Sequence, residues 1–434
     1  MQNSTVVVVG AGLSGLTAAH ELDRRGIDVI VLEAADRVGG RVLGRTSTLG
    51  SRFDLGGQWI GHDHHRVKEL ATELGVTVFP MHTGTLPTVI DGPRRVSPLG
   101  PSMLVSALAL TGIGVLARLG APAGFNATTL DRWLSKVPGR TARRLLEVVA
   151  LISWTGDLDR LSVRAAADMI RHQGGLLTIL GTKGGAQESL LVESAGALVE
   201  RLAAGLGPRV RTGHRVTSIE CGDRVLLRTP SGVVQADKVI VTVPPPVASR
   251  IAFEPGLPAD HVALQCNTYM GSVFKAVAVY QRPFWRERGG GEFLVLGKPG
   301  SAVFDTSAPG GPGHLCVLVG GPEARELSLL DDAARREAVL APLVAHIGHE
   351  VLQPVDWQEK SWHLDEFVEG GYVALPKPGT TEGFVPMACA PVGDLHWAGS
   401  ETASGHPGYL DGAIEAGRRA AAEVTAALQP SLDP

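Results

Sequence analysis

The stretch TVVVVGAGLSGLTAAHELDRRGIDVIVLE, residues 5–33, decides the fold. A β-branched run leads through glycines into an apolar helical pattern, and a second apolar run follows and ends in an acid. This order predicts a strand, a helix and a second strand. Gly10, Gly12 and Gly15 form G-x-G-x-x-G at the turn into the helix. With Glu33 closing the second strand, the context is that of a dinucleotide-binding unit.

The residues of this motif have separate physical tasks. Gly10 permits the tight turn, Gly12 lets the backbone approach a pyrophosphate, and Gly15 lets the helix pack closely on the strand. The helix N-terminus adds about half a positive charge for the diphosphate. Glu33 can accept hydrogen bonds from a ribose 2′-OH. The motif therefore predicts an adenine dinucleotide, and it leaves FAD and NAD open.

The length and composition indicate how many domains to expect and which classes of protein are excluded. At roughly 150 residues per domain, the 434 residues suggest two or three domains. Hydrophobic residues make up 44% and charged residues 19%, with 40 Lys+Arg against 44 Asp+Glu. This balance argues against disorder and against a nucleic-acid partner bound by phosphate neutralisation. Four cysteines without a C-x-x-C pair, and an N-terminus without a basic region, favour a cytoplasmic location.

Residues 103–116, MLVSALALTGIGVL, are apolar throughout. A membrane-spanning helix needs about 20 residues, so this segment is too short and no transmembrane anchor is expected. The segment predicts a buried or pocket-covering helix, and peripheral membrane contact is the alternative.

The residues after Glu33 separate FAD from NAD. The chain reads Gly39, Gly40, Arg41 after five intervening residues, and residues 54–61 read DLGGQWIG. The pattern E-x5-GGR followed by DLGGQWIG resembles the flavin-dependent amine oxidases of the monoamine oxidase type. In that family the arginine and the glycine-rich segment contact the pyrophosphate and the edge of the isoalloxazine ring. The residues agree, since paired glycines let backbone amides approach a flat ring and an arginine offsets diphosphate charge.

The resemblance covers most of the chain and implies an α/β fold of two discontinuous domains. A Rossmann-type FAD-binding domain is expected from residues 1–80, 193–267 and 385–434. A second, α+β substrate-binding domain is expected from residues 81–192 and 268–384.

The C-terminal segment HWAGSETASGHPGYL, residues 396–410, is the most specific match. Small and apolar positions from Gly412 onward predict a helix whose N-terminus points at the flavin and stabilises the anionic reduced ring. By resemblance, Glu401 binds ribityl or ribose hydroxyls of FAD, Leu410 supplies a backbone amide, and Val216 lies near adenine. The full set of predicted cofactor-binding residues is Gly10, Gly12, Leu13, Ser14, Gly15, Glu33, Ala34, Gly40, Arg41, Gly57, Gln58, Trp59, Ile60, Val216, Gly399, Glu401 and Leu410.

An aromatic cage in front of the flavin is characteristic of the family, and Tyr409 resembles one of its walls. Ring faces orient an amine by quadrupole and dispersion contacts. The second wall stays open. Where the best-known members carry a cysteine bonded to the flavin and then a tyrosine, this chain reads Gly370-Gly371-Tyr372-Val373. Tyr372 forms the wall if one residue is deleted, and Val373 faces the substrate if none is. Since no cysteine occupies the linkage position, non-covalent FAD is expected.

Lys275 is a single lysine inside the apolar strand pattern of residues 270–280. Burying an ammonium costs several kcal/mol unless something compensates it. In the family this lysine holds a water at flavin N5, so by resemblance Lys275 stabilises charge as the reduced flavin passes an electron to O2. Trp362 ends the matching segment WQEKSW and is counted with the catalytic residues.

The substrate pocket is expected to be largely apolar. Gly184-Gly185-Ala186-Gln187-Glu188 resembles the family's GGQE segment with one alanine inserted, so Gln187 is expected to line the pocket with Leu177 and Trp154. No paired acids for the distal ammonium of a diamine are evident. No metal is predicted, because the histidine-rich stretch after residue 61 is more typical of a helix start.

The sequence therefore predicts an FAD-dependent amine oxidase. An amine α-hydrogen passes as hydride to flavin N5, the imine hydrolyses, and O2 becomes H2O2. Three alternatives stay open: an amino-acid oxidase, which needs a pocket arginine that Arg94, Arg95 or Arg171 would supply; a C–C desaturase; and a non-enzymatic flavin-binding interaction protein. The amine itself, its class and the choice between oxidase and dehydrogenase are not determined. A homodimer is the general prior.

Overall fold

The computed structural model describes residues 2–83, 87–380 and 384–429. The strands are β1 (Gln2–Val9), β2 (Val29–Leu32), β3 (Gly44–Thr46), β4 (Arg52–Asp54), β5 (Val78–Pro80), β6 (Thr88–Asp91), β7 (Arg94–Arg95), β8 (Ser189–Leu191), β9 (Val210–Arg211), β10 (Ser218–Cys221), β11 (Val225–Thr229), β12 (Gly232–Val241), β13 (Ala252–Glu254), β14 (Thr268–Gly271), β15 (Val273–Tyr280), β16 (Phe293–Val295), β17 (Ser301–Asp305), β18 (Gly313–Gly320), β19 (Asp356–Ser361), β20 (Gly371–Pro376) and β21 (Leu395–Trp397).

The α-helices are α1 (Leu13–Arg24), α2 (His65–Glu73), α3 (Pro101–Leu119), α4 (Leu130–Leu134), α5 (Arg140–Trp154), α6 (Val163–His172), α7 (Leu176–Leu180), α8 (Gly196–Leu206), α9 (Pro245–Ala248), α10 (Ala259–Asn267), α11 (Pro322–Leu327), α12 (Asp332–Leu340), α13 (Val344–Ile347) and α14 (Leu410–Leu428).

The first sheet joins distant parts of the chain. Its strand order among the described residues is β13-β10-β11-β12-β1-β2-β9, with β21 beside β12. β1 runs parallel to both β2 and β12. Val6, Val7 and Val8 of β1 are completely buried, as expected for a central parallel strand covered on both faces. The predicted α/β class is confirmed.

β1, α1 and β2 form the strand–helix–strand unit predicted from residues 5–33. Close backbone approaches hold it together. At Gly15 a Cβ atom would lie 2.0 Å from the carbonyl oxygen of Gly10, and at Gly417 of α14 it would lie 2.4 Å from that of Ser14. A methyl group at either position would push α1 away from its neighbours. These glycines therefore set how near α1 lies to the turn and to α14.

The second sheet has the strand order β19-β15-β18-β17-β16-β6-β7 and is antiparallel except for the β6–β16 pair. Every residue of β15 is buried. Phe274 and Ala276 on one face of β15 pack into an apolar cluster that includes Leu340 of α12. Because side chains alternate between the faces of a strand, Lys275 points to the opposite side, toward the first sheet.

The apolar segment 103–116 lies within α3, whose 19 residues include an 18-residue window of mean hydropathy 1.8. By length and composition alone this helix could cross a membrane, and only 17% of the window is buried. The expectation of a buried helix is therefore wrong. The inner side of α3, with Met103, Ser106 and Leu110, faces a large cavity, which agrees with the pocket-covering alternative.

Candidate active site

A cavity of about 850 Å³ opens between the two sheets. Its walls come from the glycine turn after β1, the inner face of the second sheet, α3 and the start of α14. Fourteen predicted cofactor-binding residues line it: Gly10, Gly12, Leu13, Ser14, Glu33, Ala34, Gly40, Arg41, Gly57, Gln58, Trp59, Val216, Gly399 and Leu410. The structure also brings Lys275, Tyr409, Tyr372, Trp362 and Gln187 to the same cavity.

Two helix N-termini open into this cavity without a side-chain cap. The first is the start of α1 at Gly12, and the second is the start of α14 at Tyr409. Ser14, in the first turn of α1, is joined to the loop after β21, because its hydroxyl accepts a hydrogen bond of 3.0 Å from the Gly399 amide. Uncapped helix N-termini leave N–H groups free for an acceptor and favour negative charge. The cavity is thus prepared for an anionic group at two points.

Glu33 is a buried carboxylate on the cavity wall. Its Oε2 accepts from the Ala11 amide at 2.7 Å and its Oε1 from the Ala35 amide at 2.8 Å. These bonds orient the carboxylate toward the strand ends of the first sheet, close to Val216. Burial raises the pKa of Glu33 above its ordinary value.

Arg41 is held by a paired hydrogen bond from its guanidinium to Glu401. The distances are 2.6 Å from Nη1 to Oε1 and 2.9 Å from Nη2 to Oε2. Glu401 also accepts from the Ala374 amide and the Ser400 hydroxyl. Although burial alone would raise the pKa of Glu401, the Arg41 guanidinium keeps it below the ordinary value. Arg41 donates further to the Tyr372 carbonyl at 2.7 Å.

Glu401 has groups of the protein as its hydrogen-bond partners. Its side chain is 2% exposed and lies behind the residues that line the cavity. A carboxylate has about four acceptor positions, and four protein donors already take them. In this structure Glu401 fixes Arg41, and its contact with FAD hydroxyls stays a prediction.

Lys275 lies on the cavity floor with its ammonium among neutral oxygens. Nζ donates to the Gly56 carbonyl at 2.8 Å and to Oε1 of Gln58 at 2.6 Å. It also lies 5.3 Å from the centre of the Trp59 ring. Burial lowers the pKa of Lys275. Two of its three N–H bonds are used, which leaves one for a group in the cavity.

Tyr372 and Tyr409 both contribute to the wall of the cavity. The hydroxyl of Tyr372 is buried and has no hydrogen-bond partner among the described residues. The ring of Tyr409 packs edge-on against His64, with 5.1 Å between ring centres. Burial raises the pKa of both phenols, so each stays protonated at neutral pH. Val373 also reaches the cavity and packs against Gly408, the residue before Tyr409.

Comparison with known proteins decides the family. The family model of the flavin containing amine oxidoreductases matches residues 13–425. The chain belongs to this family. It is 35% identical to a putative flavin-containing monoamine oxidase AofH of Mycobacterium tuberculosis, with 98% of this chain and 97% of the relative covered.

Two further relatives agree with this membership. Amine oxidase [flavin-containing] B of Sus scrofa is 31% identical over 98% of this chain and 86% of the relative. The structure of cyclohexylamine oxidase from Brevibacterium oxydans IH-35A superposes with a TM-score of 0.93 at 28% identity, covering 98% of this chain and 100% of that one. The predicted family and enzyme class are confirmed: the protein is an oxidoreductase that acts on amines with a flavin.

The residues present fit FAD as the amine oxidoreductase cofactor. At Gly12 a Cβ atom would have only the Gly39 carbonyl within reach, at 4.0 Å, so the uncapped start of α1 borders open space for a diphosphate. Arg41 supplies a fixed positive charge nearby. No cysteine lines the cavity among the described residues. FAD is therefore held without a covalent bond, as predicted.

Four other predicted residues lie away from the cavity. Gly15 packs against the Gly10 carbonyl group at the turn after β1. Ile60 is completely buried in the core beside α1 and α8. Trp154, at the end of α5, packs into the helical cluster that contains Met169. These residues lie behind the wall, so the structure does not place Ile60 at the cofactor or Trp154 at the substrate, and both contacts stay predictions.

Leu177 is 86% exposed, so its predicted place in the pocket is wrong. The cause is the rotation of a helix, which turns by 100° per residue. In α7, Ile179 faces the cavity, and Leu177, two residues earlier, lies about 200° away around the helix axis. Gln187 does line the cavity and donates to the Ile179 carbonyl at 3.0 Å.

The histidine-rich stretch begins α2, as expected, and part of it reaches the back of Tyr409. Asp63, His64 and His406 bring ligand atoms within 4.8 Å of one another. However, Nδ1 of His64 accepts from the Gly61 amide at 2.9 Å, and burial lowers the pKa of His64 to about 4. A neutral imidazole bonded in this way carries its proton on Nε2 and offers no lone pair there. The group is therefore unsuited to a metal.

Sequence reasoning missed a buried acid on the cavity wall. Glu292 is 7% exposed and lines the cavity beside β16. Its carboxylate accepts from the hydroxyls of Thr83 at 2.8 Å and Thr182 at 3.4 Å. The only signal in the sequence is a lone acid between a glycine run and a short apolar strand, which is equally typical of an exposed turn.

Proposed function

We propose that the protein oxidises an amine to an imine and uses O2 as the electron acceptor. When bound, FAD supplies the hydride acceptor at its N5 atom and is returned to the oxidised state by O2, with H2O2 as the product. The imine adds water and breaks into a carbonyl compound and an amine or ammonia. The observation that carries the proposal is one cavity that joins a dinucleotide turn, a buried lysine and two tyrosines.

Tyr372 and Tyr409 would orient the amine as the two walls of the cage. Tyr372 is favoured over Val373 because the two side chains point to opposite faces of β20. Tyr372 packs against the apolar cluster that contains Val273 and Val277, the neighbours of Lys275 on its face of β15. Val373 belongs to the helical cluster instead. Both phenols keep their protons, so neither acts as a base at neutral pH. The amine would therefore have to arrive neutral, with its nitrogen lone pair available.

Lys275 would act in the oxygen reaction. Its remaining N–H bond can hold a water molecule or a reduced oxygen species in the cavity. The ammonium is surrounded by neutral acceptors, so its positive charge is not cancelled by a direct carboxylate contact. A fixed charge in a site with little water stabilises developing negative charge effectively. The reaction of the reduced enzyme with O2 is the step that distinguishes an oxidase from a dehydrogenase.

Three sets of residues on the cofactor-binding side of the cavity would contact different parts of the dinucleotide. The starts of α1 and α14 would hold the diphosphate and the anionic edge of the reduced ring. Glu33 would accept from the adenosine ribose, and Val216 would lie against adenine. Arg41, fixed by Glu401, would balance the diphosphate charge.

The position of arginines bears on the amino-acid oxidase alternative. Arg171 donates to the Ala117 carbonyl and, like Arg94, is not among the residues that line the cavity. Arg95 does line it, but it is exposed on β7. β7 lies five strands from β15, or about 24 Å at the usual strand spacing. A carboxylate paired with Arg95 would be far from Lys275, which favours amines over amino acids.

The test is anaerobic mixing of the holoenzyme with aryl-alkyl, aliphatic, cyclic and secondary amines and with amino acids. Loss of the oxidised-flavin absorbance on mixing with one amine class, followed by H2O2 release when O2 is admitted, is expected. Bleaching by amino acids alone would replace the proposal with the amino-acid oxidase alternative. No bleaching by any of them would overturn it and favour a C–C desaturase.

A further inference from the structure

Most of the buried carboxylates in the described chain form an ion pair, and Glu292 does not. Asp54 also lacks one, but two backbone amides, those of Ala195 and Gly196, donate to it. Asp305, Glu323 and Asp411 pair with Arg286, Arg144 and Arg66 respectively. Glu401 pairs with Arg41. Glu292 has two threonine hydroxyls as donors and forms no ion pair with the described residues.

The free-energy cost of burying the Glu292 carboxylate without a counter-charge points to a cationic partner that the described residues do not supply. A buried carboxylate without a counter-charge is strongly unfavourable, and the nearby Asp305 adds repulsion. Glu33 is the other buried glutamate of the cavity wall, and its oxygens are bonded to backbone amides at the dinucleotide end. Glu292 faces the same cavity at a different place, where Ile179, Leu180 and Phe304 make the walls apolar.

The register of the second sheet sets the distance between Glu292 and the reaction centre. Lys275 lies opposite Leu318, Leu318 opposite Ala302, and Ala302 opposite Leu294. All four side chains line the cavity, so they share one face. Three strand spacings amount to about 14 Å. Glu292 is two residues before Leu294, on the same face, and this offset of about 7 Å along the strand brings its backbone to about 16 Å from that of Lys275.

We propose that Glu292, whose backbone is about 16 Å from that of Lys275, binds a second cationic nitrogen of the substrate, and that the preferred substrates are long amines with a distal ammonium. The inference rests on the proposed amine oxidation. The reacting nitrogen lies neutral between Tyr372 and Tyr409, and the distal ammonium donates to Glu292 in place of a counter-ion. The chain between them crosses the apolar part of the cavity. A short diamine would not reach both ends.

The test compares two probes of equal chain length, diaminodecane and decylamine, in anaerobic flavin-reduction experiments with the holoenzyme. Glu292→Gln keeps the shape and the acceptor for Thr83 but removes the charge. We expect the apparent Kd for diaminodecane to rise about tenfold or more, as for loss of a charge-assisted hydrogen bond. The Kd for decylamine should stay the same. Diaminobutane should not gain from Glu292.

Two further variants keep the result interpretable. Glu326→Gln, on the exposed side of α11, removes a carboxylate away from the cavity and should change neither Kd. Glu292→Asp keeps the charge on a shorter arm and should restore part of the preference for the diamine. An unchanged ratio of the two Kd values in Glu292→Gln would overturn the inference.

Calorimetric titration of the holoenzyme with diaminodecane separates the two proposals. If the flavin stays oxidised but the diamine binds, and binds more weakly to Glu292→Gln, the subsite stands and the proposed oxidation fails. If amines bleach the flavin but Glu292→Gln binds the diamine as wild type does, the oxidation stands and the subsite fails.

Discussion

Lys275 holds the positive charge nearest to the expected oxygen reaction. Lys275→Met keeps an apolar side chain of similar length and removes the ammonium. We expect the reaction of the reduced enzyme with O2 to slow by about 100-fold, the usual scale for loss of one preorganised electrostatic contact. Reduction by amine should change little. Stopped-flow measurement of the two half-reactions tests this, with Lys298→Met on an exposed loop as the control. An unchanged oxygen reaction would contradict the assignment.

The same residue predicts a pH dependence. Burial lowers the pKa of Lys275 from its ordinary 10.5, and the charged form exists below the pKa. The rate constant with O2 should therefore be highest at low pH and should fall as the pH rises through a value below 10.5. Rapid mixing of reduced enzyme with O2 across the alkaline range measures it. A fall of the same size in Lys275→Met would assign the titration to another group.

At the scale of an element, α3 controls the width of the cavity. Ala107 faces the cavity, whereas its neighbour Leu108 is 73% exposed on the outer side. Ala107→Trp should raise the KM for bulky aryl-alkyl amines at least tenfold and affect small aliphatic amines less. Leu108→Trp adds the same ring outside and should leave both unchanged. Steady-state kinetics with the two classes of amine decide this, and equal effects of the two variants would show that α3 acts only on stability.

At the scale of the whole molecule, FAD bound in the cavity would lie between the two sheets and should stabilise them together. A ligand at 100 times its Kd adds about 2.7 kcal/mol to the free energy of unfolding. The melting temperature should rise by several degrees when FAD is added to apoprotein. Riboflavin, which lacks the diphosphate and adenosine that the α1 turn and Glu33 would bind, should raise it much less. Scanning calorimetry tests this, and equal shifts by the two flavins would argue against binding at the α1 turn.

The sequence by itself determined the local units. β-branched runs, glycine spacing and a closing acid predicted β1, α1 and β2, because strand and helix periods are read from consecutive residues. The same holds for α14 after Tyr409 and for Lys275 within β15. The family resemblance then gave the class of cofactor and reaction, since its motifs lie within short segments.

Only the tertiary structure decided which distant groups meet. Glu401 forms a hydrogen bond with Arg41, 360 positions away in the sequence. Neither local segment predicts that pairing. In α7, Ile179 faces inward and Leu177, about half a turn away, faces outward. The register of four strands places Glu292 on the same face of the second sheet as Lys275. Local sequence patterns do not predict such pairs, because many residues of the chain have the same periodicity and polarity and could be the partner. The path of the backbone selects one of them, through packing and hydrogen bonds that no single segment contains.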